Sequence, residues 1–168
     1  MSNNVNDIFP FEIKKVRQIH LTINERFYIN QENAKVILGM SQTTSISVEK
    51  NLLEFTLFIF LHYEGAPVPE GILADIKVQN IFHIPDIHRL KGEDGTFIPD
   101  AILIPVVSMA ISHTRALFCQ ALAGTVYDGI IIPITNPIDA TNYLFPKKEP
   151  PIEEAPAKKK ATKKAAKT

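Results

Sequence analysis

The chain has 168 residues, of which 45% are apolar and 21% charged, so it fits one folded domain with a substantial core. Its net charge is zero, but residues 1–146 carry 10 Lys/Arg against 15 Asp/Glu, and residues 147–168 carry 8 Lys against 3 Glu. No uninterrupted apolar run approaches the roughly 18–20 residues that span a bilayer, and the N-terminus lacks a secretory signal pattern. The single cysteine, Cys119, agrees with a reducing compartment. We expect a cytoplasmic protein without membrane insertion.

Four stretches show the side-chain alternation of β-strands, and turn-forming residues separate them. These predicted strands run from Phe11 to Ile23, Ala34 to Val48, Leu52 to Tyr63, and Ile72 to Ile84. The first is irregular, because Lys15, Val16 and Arg17 break its alternation. The third is apolar on both faces, with Phe58 and Phe60 on the face opposite its leucines. Such a strand is usually interior, or covered on both sides by other elements or subunits.

The second half of the chain predicts helices. Apolar residues between Ile104 and Leu122 recur at helical spacing, with Asp100 as the predicted N-cap and Gly124 as the predicted stop. Pro105 has no N–H, so we expect it in or near the first helical turn. A short final helix is predicted over Asp139 to Phe145.

The segment between these two helices, Tyr127 to Pro137, is apolar where loops are usually polar, and we call it the crossover. Two prolines restrict it and remove backbone donors, so it can present side chains without becoming an aggregating strand edge. A persistent apolar surface on a soluble protein usually marks an interaction site. The opposite possibility, that Ile130 and its neighbours belong to the core, stays open at this stage.

Residues 147–168 differ in composition from the rest of the chain. They are rich in Lys, Ala and Pro and cannot bury enough apolar area to offset ordering entropy, so we predict a disordered tail after a folded domain of residues 1–146. One hypothesis is a solubilising tail. Another is weak, sequence-blind binding of nucleic acid, since the tail has lysines for phosphates but no aromatic residue or arginine for bases.

The pattern of reactive residues argues against an enzyme. His83 and His88 flank Pro85, so no helix can place them together as a metal pair, and no Cys/Asp/Glu cluster lies nearby. Cys119 falls among apolar helix residues, which favours buried packing over a nucleophile. The run from Lys91 to Gly95 lacks the spacing of a phosphate-binding loop. We therefore expect no catalytic residue, no metal and no cofactor.

Several motifs resemble the SecB-type protein-export chaperones. Phe11 to Val16 is similar to the opening strand Phe-Gln-Ile-Gln-Arg-Ile of that family, and Lys77 to Phe82 is similar to Glu-Val-Gln-Gln followed by Ile-Phe. Ile102 to Pro105 resembles the helix start Ile-Leu-Phe-Pro, and Gly124-Thr125 resembles the end of Arg-Gly-Thr. The order and spacing of these pieces match over roughly Phe11 to Phe145.

This resemblance implies an α+β fold in which a four-stranded antiparallel sheet carries a long helix and a short C-terminal helix on one face. It also implies an ATP-independent holdase that binds unfolded polypeptides for export through a groove of apolar and aromatic residues near the crossover. We expect the groove among eight residues: Phe27, Tyr28, Phe58, Phe60, Tyr127, Ile130, Ile132 and Tyr143. Relatives also serve toxin–antitoxin pairs, so an adaptor for one partner such as an antitoxin is the alternative.

The family assembles as a homotetramer, a dimer of dimers joined through strands and long helices, and we expect the same here. The doubly apolar third strand and the alanines of the long helix favour such packing. Two differences weigh against delivery to the export motor SecA. Lys77 replaces a family glutamate implicated in SecA docking, and a basic tail replaces an acidic one.

Overall fold

The computed structural model describes residues 11–27, 35–65, 71–90 and 98–146, so the tail predicted to be disordered lies outside it. One antiparallel sheet contains four strands in the order β1-β4-β3-β2. The strands are β1 (Glu12–Ile23), β2 (Val36–Ser47), β3 (Leu52–Tyr63) and β4 (Ile72–His83). The helices are α1 (Asp100–Leu122) and α2 (Pro137–Leu144), with short 3₁₀ helices at Glu25–Phe27 and Ile87–Leu90. The predicted α+β architecture is confirmed.

The core lies between one face of the sheet and the two helices. On β3, Leu53, Phe55 and Leu57 are fully buried, whereas Phe58 and Phe60 on the other face are half-buried. On β4, the buried Asn80 accepts a hydrogen bond from Nδ1 of His113 in α1 at 2.7 Å. These contacts define a helix face, which forms the core, and an outer face on the other side of the sheet.

Two register shifts explain the irregular pattern of β1. One lies between Ile13 and Lys15 and the other between Gln18 and His20 in the pairing with β4. Each shift adds one residue to β1 and reverses the alternation beyond it. Val16 therefore lies opposite Asn80, on the helix face, although it breaks the simple alternation of the sequence.

The start of helix α1 differs from the prediction, whereas its end agrees with it. Its N-cap is Pro99, without a side-chain capping bond, so the prediction that Asp100 caps the helix is wrong. Asp100 instead occupies the first turn, where a carboxylate still interacts favourably with the helix dipole. Pro105 lies inside the helix, one turn further in than expected. The predicted stop is confirmed, because Gly124 follows the C-cap with φ +77°.

The side of α1 away from the sheet carries small residues. Cys119 is exposed there, so the prediction that it packs in the core is wrong. Its position follows from helical spacing, since Ser112, Ala116 and Ala123 are exposed on the same side.

By length and composition, α1 is also long and apolar enough to cross a membrane, which the absence of an uninterrupted apolar run did not predict. In this fold 44% of its most apolar stretch is buried.

Candidate functional site

The crossover is attached through Asn24, the residue that follows β1, to the end of the sheet where β1 ends and β4 begins. The hydroxyl of Tyr127 donates a hydrogen bond to the carbonyl of Asn24 at 2.7 Å. Asn24 in turn donates from its backbone N–H to Leu73 at 2.7 Å and from its side chain to the carbonyl of Ile72 at 2.9 Å. One asparagine thus links the end of β1, the start of β4 and the crossover, which fixes the path of the crossover.

A compact turn leads from α1 into the crossover. The hydroxyl of Thr125 donates to the carbonyl of Leu122 at 2.7 Å, and the backbone N–H of Gly124 donates to the carboxylate of Asp128 at 3.2 Å. Gly129 has φ +88°, a conformation that a residue with a side chain rarely adopts. Successive hydrogen-bonded turns therefore occupy the residues between α1 and the three consecutive isoleucines.

The isoleucines of the crossover divide between the core and solvent. Tyr127 and Ile132 are 1% and 2% exposed and belong to the core, while Ile130 packs partly against it. Ile131 and Ile134 are 84% and 85% exposed. We call these two side chains the crossover ridge. Ile131 stands between the partly buried Ile130 and the buried Ile132, whereas Ile134 follows the exposed Pro133.

A cleft of about 550 Å³ lies beside the start of the crossover. It is lined by Ile23, Asn24, Glu25, Arg26, Phe27 and Thr125. Phe27 is half-exposed at its rim, and Val126 is exposed next to the lining Thr125. The cleft thus offers a mixed apolar and polar surface close to the residue that anchors the crossover.

The two edge strands of the sheet differ in how they are protected. β1 carries Lys14, Lys15 and Arg17 and has two register shifts, features that discourage pairing with a further strand. β2 has no charged residue, no proline and an unbroken register with β3 over all twelve residues. Its outward backbone groups form a straight row that a further extended chain can pair with. We call this row the β2 edge.

The residues of β2 give its edge two chemically different sides. The residues that face the helices are Val36, Leu38, Met40, Gln42, Thr44 and Ile46, and those that face outward are Ile37, Gly39, Ser41, Thr43, Ser45 and Ser47. The end of α2 lies over the strand, since Nε2 of Gln42 donates to the carbonyl of Leu144 at 3.4 Å. An extended peptide beside β2 would therefore meet mainly apolar groups along Val36 to Met40 on the helix side and mainly hydroxyls along Ser41 to Ser47 on the outer side.

Seven of the eight residues predicted for the groove lie in the described part of the chain, and these seven do not come together in one place. Tyr127, Ile130 and Ile132 lie against the core, and burial of Tyr127 and Ile132 leaves them no surface for a ligand in this chain. Phe58 and Phe60 lie on the outer face of the sheet. Phe27 and Tyr143 are exposed at two other places, and Tyr28 lies outside the described residues. Peptide binding by the exposed members stays a prediction.

Two signals in the sequence indicate the crossover ridge and the β2 edge. In an extended segment consecutive side chains point in opposite directions, so Ile131 had to face away from Ile130 and Ile132. The residue before a proline is restricted to extended conformations, which makes this alternation strict at Ile132. The absence of charge from Val36 to Ser47 likewise distinguished β2 from β1.

Within the described residues, no group of three or more His, Cys, Asp or Glu side chains is arranged to hold a metal ion. His20 pairs with Asp75 at 2.8 Å, and His113 bonds to Asn80, so these two imidazoles have hydrogen-bonding roles within the sheet and core.

Comparison with known proteins identifies the fold. No protein-family model and no curated protein sequence matches the chain. Among solved structures, it is similar to the Mycobacterium tuberculosis Rv1957 SecB-like chaperone in complex with a ChAD peptide from the Rv1956 HigA1 antitoxin. The match has a TM-score of 0.51 and 8% identity and covers 74% of this chain and 90% of that chain. The chain thus has a SecB-like fold.

Proposed function

We propose that the protein is an ATP-independent chaperone that holds unfolded polypeptides in extended form, as a homotetramer in the cytoplasm, before export. The observation that carries this proposal is the crossover ridge, two isoleucines that are 84% and 85% exposed on either side of the buried Ile132. Exposed apolar side chains fixed on a stable domain bind apolar segments of other chains without reading their sequence. The SecB-like fold supports the proposal, because the similar mycobacterial structure is a chaperone with a bound peptide.

The β2 edge supplies the second half of the proposed binding surface. Pairing of a client backbone with β2 satisfies main-chain hydrogen bonds whatever the side chains are, and alternate client residues then face the apolar side of the strand. Each apolar client side chain buried on the crossover ridge contributes about 1.5–3 kcal/mol. Both contributions tolerate many sequences, which suits a holdase.

The test is suppression of aggregation of a slow-folding client at stoichiometric ratio without nucleotide. We expect the wild-type protein to suppress aggregation and the double variant Ile131→Ser/Ile134→Ser to lose most of this activity. The matched control is Ile131→Val/Ile134→Val, which keeps both positions apolar and should retain activity. If the wild-type protein leaves aggregation unchanged, the holdase proposal is wrong.

A second candidate function is an adaptor for one partner, such as an antitoxin. It is favoured by the ChAD peptide of an antitoxin in the similar structure. Affinity for a panel of permanently unfolded polypeptides separates the two candidates. A holdase binds members of the panel within about one order of magnitude of each other, whereas an adaptor binds one sequence far more tightly than the rest.

Export-specific delivery is a separate part of the proposal. Lys77 lies on the outer face of the sheet, opposite Phe58 on β3, where the resemblance expects a glutamate. Binding of purified SecA to the protein loaded with an unfolded preprotein tests the delivery step directly. If SecA does not bind the loaded protein at micromolar concentration, the protein is a holdase without a delivery role.

A further inference from the structure

The outer face of the sheet is a second accessible surface, distinct from the crossover. Its side chains on β4, among them Lys77, Gln79 and Ile81, are half-exposed, while the intervening Val78 and Asn80 are buried on the helix face. A sheet face opposite the helices needs an occupant or a polar composition. Here the composition combines aromatic rings, cations and hydroxyl groups in a defined order.

Three rings form a row along β3, which is an interior strand. The ring centroids of Phe58 and Phe60 are 5.2 Å apart with an interplanar angle of 29°, and those of Phe60 and His62 are 5.7 Å apart with an angle of 31°. Gly39 on the neighbouring β2 leaves room for the ring of Phe60, because a Cβ at that position would overlap it. The row is therefore a pre-formed stack of half-exposed rings.

Cations lie on the next two strands at the Phe58 end of this row. Nζ of Lys77 is 4.9 Å from the ring centroid of Phe58. Arg17 on β1 donates to the side chain of Gln79 at 2.9 Å, and Lys15 occupies the adjoining outer position of the same strand. The basic side chains thus form a band that starts at Phe58 and continues past that end of the row, since Arg17 and Lys15 are level with Thr56 and Glu54.

The carboxylates described on this face are mostly engaged by basic groups. Lys14 donates to Glu12 at 2.6 Å and lowers the pKa of that carboxyl below its ordinary value of 4.5. Asp75 pairs with His20 at 2.8 Å. Glu54 accepts a hydrogen bond from Gln79 at 3.2 Å. The band of Lys15, Arg17 and Lys77 is therefore left to interact with an external anion.

We propose that the outer face binds single-stranded nucleic acid. Bases stack on the row of Phe58, Phe60 and His62, and phosphates lie along Lys15, Arg17 and Lys77. Aromatic side chains on a four-stranded sheet, with cations at its side, are a recurrent platform for unpaired bases. A duplex fits less well, because its bases are already stacked and cannot reach the rings.

The test measures binding of a fluorescent oligothymidine of about a dozen nucleotides to the full-length chain by anisotropy, over a range of salt concentrations. Phe58→Leu should weaken binding about five- to a hundredfold at every salt concentration, since it removes one stacking surface. Arg17→Gln/Lys77→Gln should reduce the slope of log affinity against log salt by about 1.4, since each lost phosphate contact of a single strand contributes about 0.7.

Controls separate this face from the lysine-rich tail, which is present in every variant. Lys50→Gln removes an exposed lysine in the turn between β2 and β3 and should leave affinity unchanged. Phe58→Tyr keeps both the fold and the stacking ring and should bind like wild type, which guards against a folding defect in Phe58→Leu.

Three outcomes overturn the proposal. One is that Phe58→Leu and Arg17→Gln/Lys77→Gln both bind with the affinity and the salt slope of the wild-type protein. This result would assign binding to the tail. Another is equal affinity for a duplex of the same length. The third is competition by polyglutamate as effective as that of unlabelled oligothymidine at equal charge, which would indicate general attraction of anions without base stacking.

Discussion

At the scale of single residues, Gly39 shows how a missing side chain shapes a surface. The ring of Phe60 occupies the space where a Cβ of residue 39 would lie, and Phe58 and His62 limit where that ring can go. We expect Gly39→Ala to lower the free energy of unfolding by about 1–3 kcal/mol, because the added methyl group overpacks the strand surface. Urea denaturation of the variant measures this.

A double-mutant cycle identifies the cause of that loss. Phe60→Leu in the Gly39→Ala background should recover part of the lost stability, whereas Ser41→Ala on the same strand should change stability by no more than about 0.5 kcal/mol. Equal stability of Gly39→Ala and wild type would mean that the ring of Phe60 moves aside freely.

Adjacent isoleucines of the crossover provide a matched pair with opposite expected effects. Ile132→Ser removes a core side chain and should destabilise the fold by about 2–5 kcal/mol. Ile131→Ser changes an exposed side chain and should alter stability by about 0.5 kcal/mol at most, while weakening client binding about five- to a hundredfold. Melting temperature and affinity for one unfolded polypeptide are measured on both variants.

The result for this pair decides between surface and scaffold. A strongly destabilised Ile131→Ser protein would show that its side chain is buried in the functional assembly, and the crossover ridge would then belong to a subunit interface. Ile130→Ser should give an intermediate loss of stability, because that side chain is partly buried against the core.

At the scale of elements, the β2 edge makes a prediction that is independent of the crossover. Thr43→Lys places a charge on an exposed outward position of β2, and a charged edge strand disfavours pairing with a further strand. We expect affinity for unfolded polypeptides to fall at least about tenfold, without a change in melting temperature beyond a few degrees.

Thr43→Val is the control for that experiment, since valine keeps the shape and the strand propensity of threonine without adding charge. Hydrogen exchange of β2 amides adds a direct observation, because a paired client strand should protect amides that exchange in the free protein. Equal affinity of Thr43→Lys and wild type would remove the β2 edge from the binding surface.

Sequence patterns were sufficient to predict the secondary-structure elements, but they were insufficient to predict which face of the sheet some residues occupy. The run rich in apolar residues from Leu52 to Tyr63 predicts β3 with the same bounds as the structure, in which every second residue from Leu53 to Leu61 is buried. In β1 the extra residue at each register shift cancels the alternation, so a pattern with period two cannot assign the face of Val16. The shifts depend on pairing with β4, which local sequence does not encode.

The candidate site was harder to predict for a related reason. Apolar composition identified the crossover, but Tyr127 is buried because its hydroxyl reaches Asn24, at a distance of 103 residues along the chain. A side chain that satisfies a remote carbonyl looks the same in sequence as one that binds a ligand. The exposed Ile131 could be inferred only by combining extended geometry with knowledge of which neighbour is anchored.

At the scale of the whole molecule, two surfaces are suited to self-association. Ile13, Val16 and Leu21 on β1 are between 36% and 40% exposed, and α1 presents small residues on the side away from the sheet. We propose that these surfaces join four copies into the expected homotetramer. Val16→Lys should then dissociate the assembly, since it places a charge within an apolar contact.

Light scattering at micromolar concentration measures this effect. Val16→Thr, which keeps the β-branched shape, serves as the control and should remain assembled. A wild-type monomer at that concentration would contradict the tetramer, and a tetrameric Val16→Lys protein would move the interface away from β1.

The strand order β1-β4-β3-β2 also affects when each strand finds its partner during synthesis. During synthesis β1 is made first, yet its partner β4 is made last, whereas β2, β3 and β4 can pair as soon as each follows the other. At about 5–20 residues per second, β1 waits for several seconds without a partner. The lysines and register shifts of β1 then protect a nascent chain, because they keep a waiting strand from pairing with the wrong neighbour.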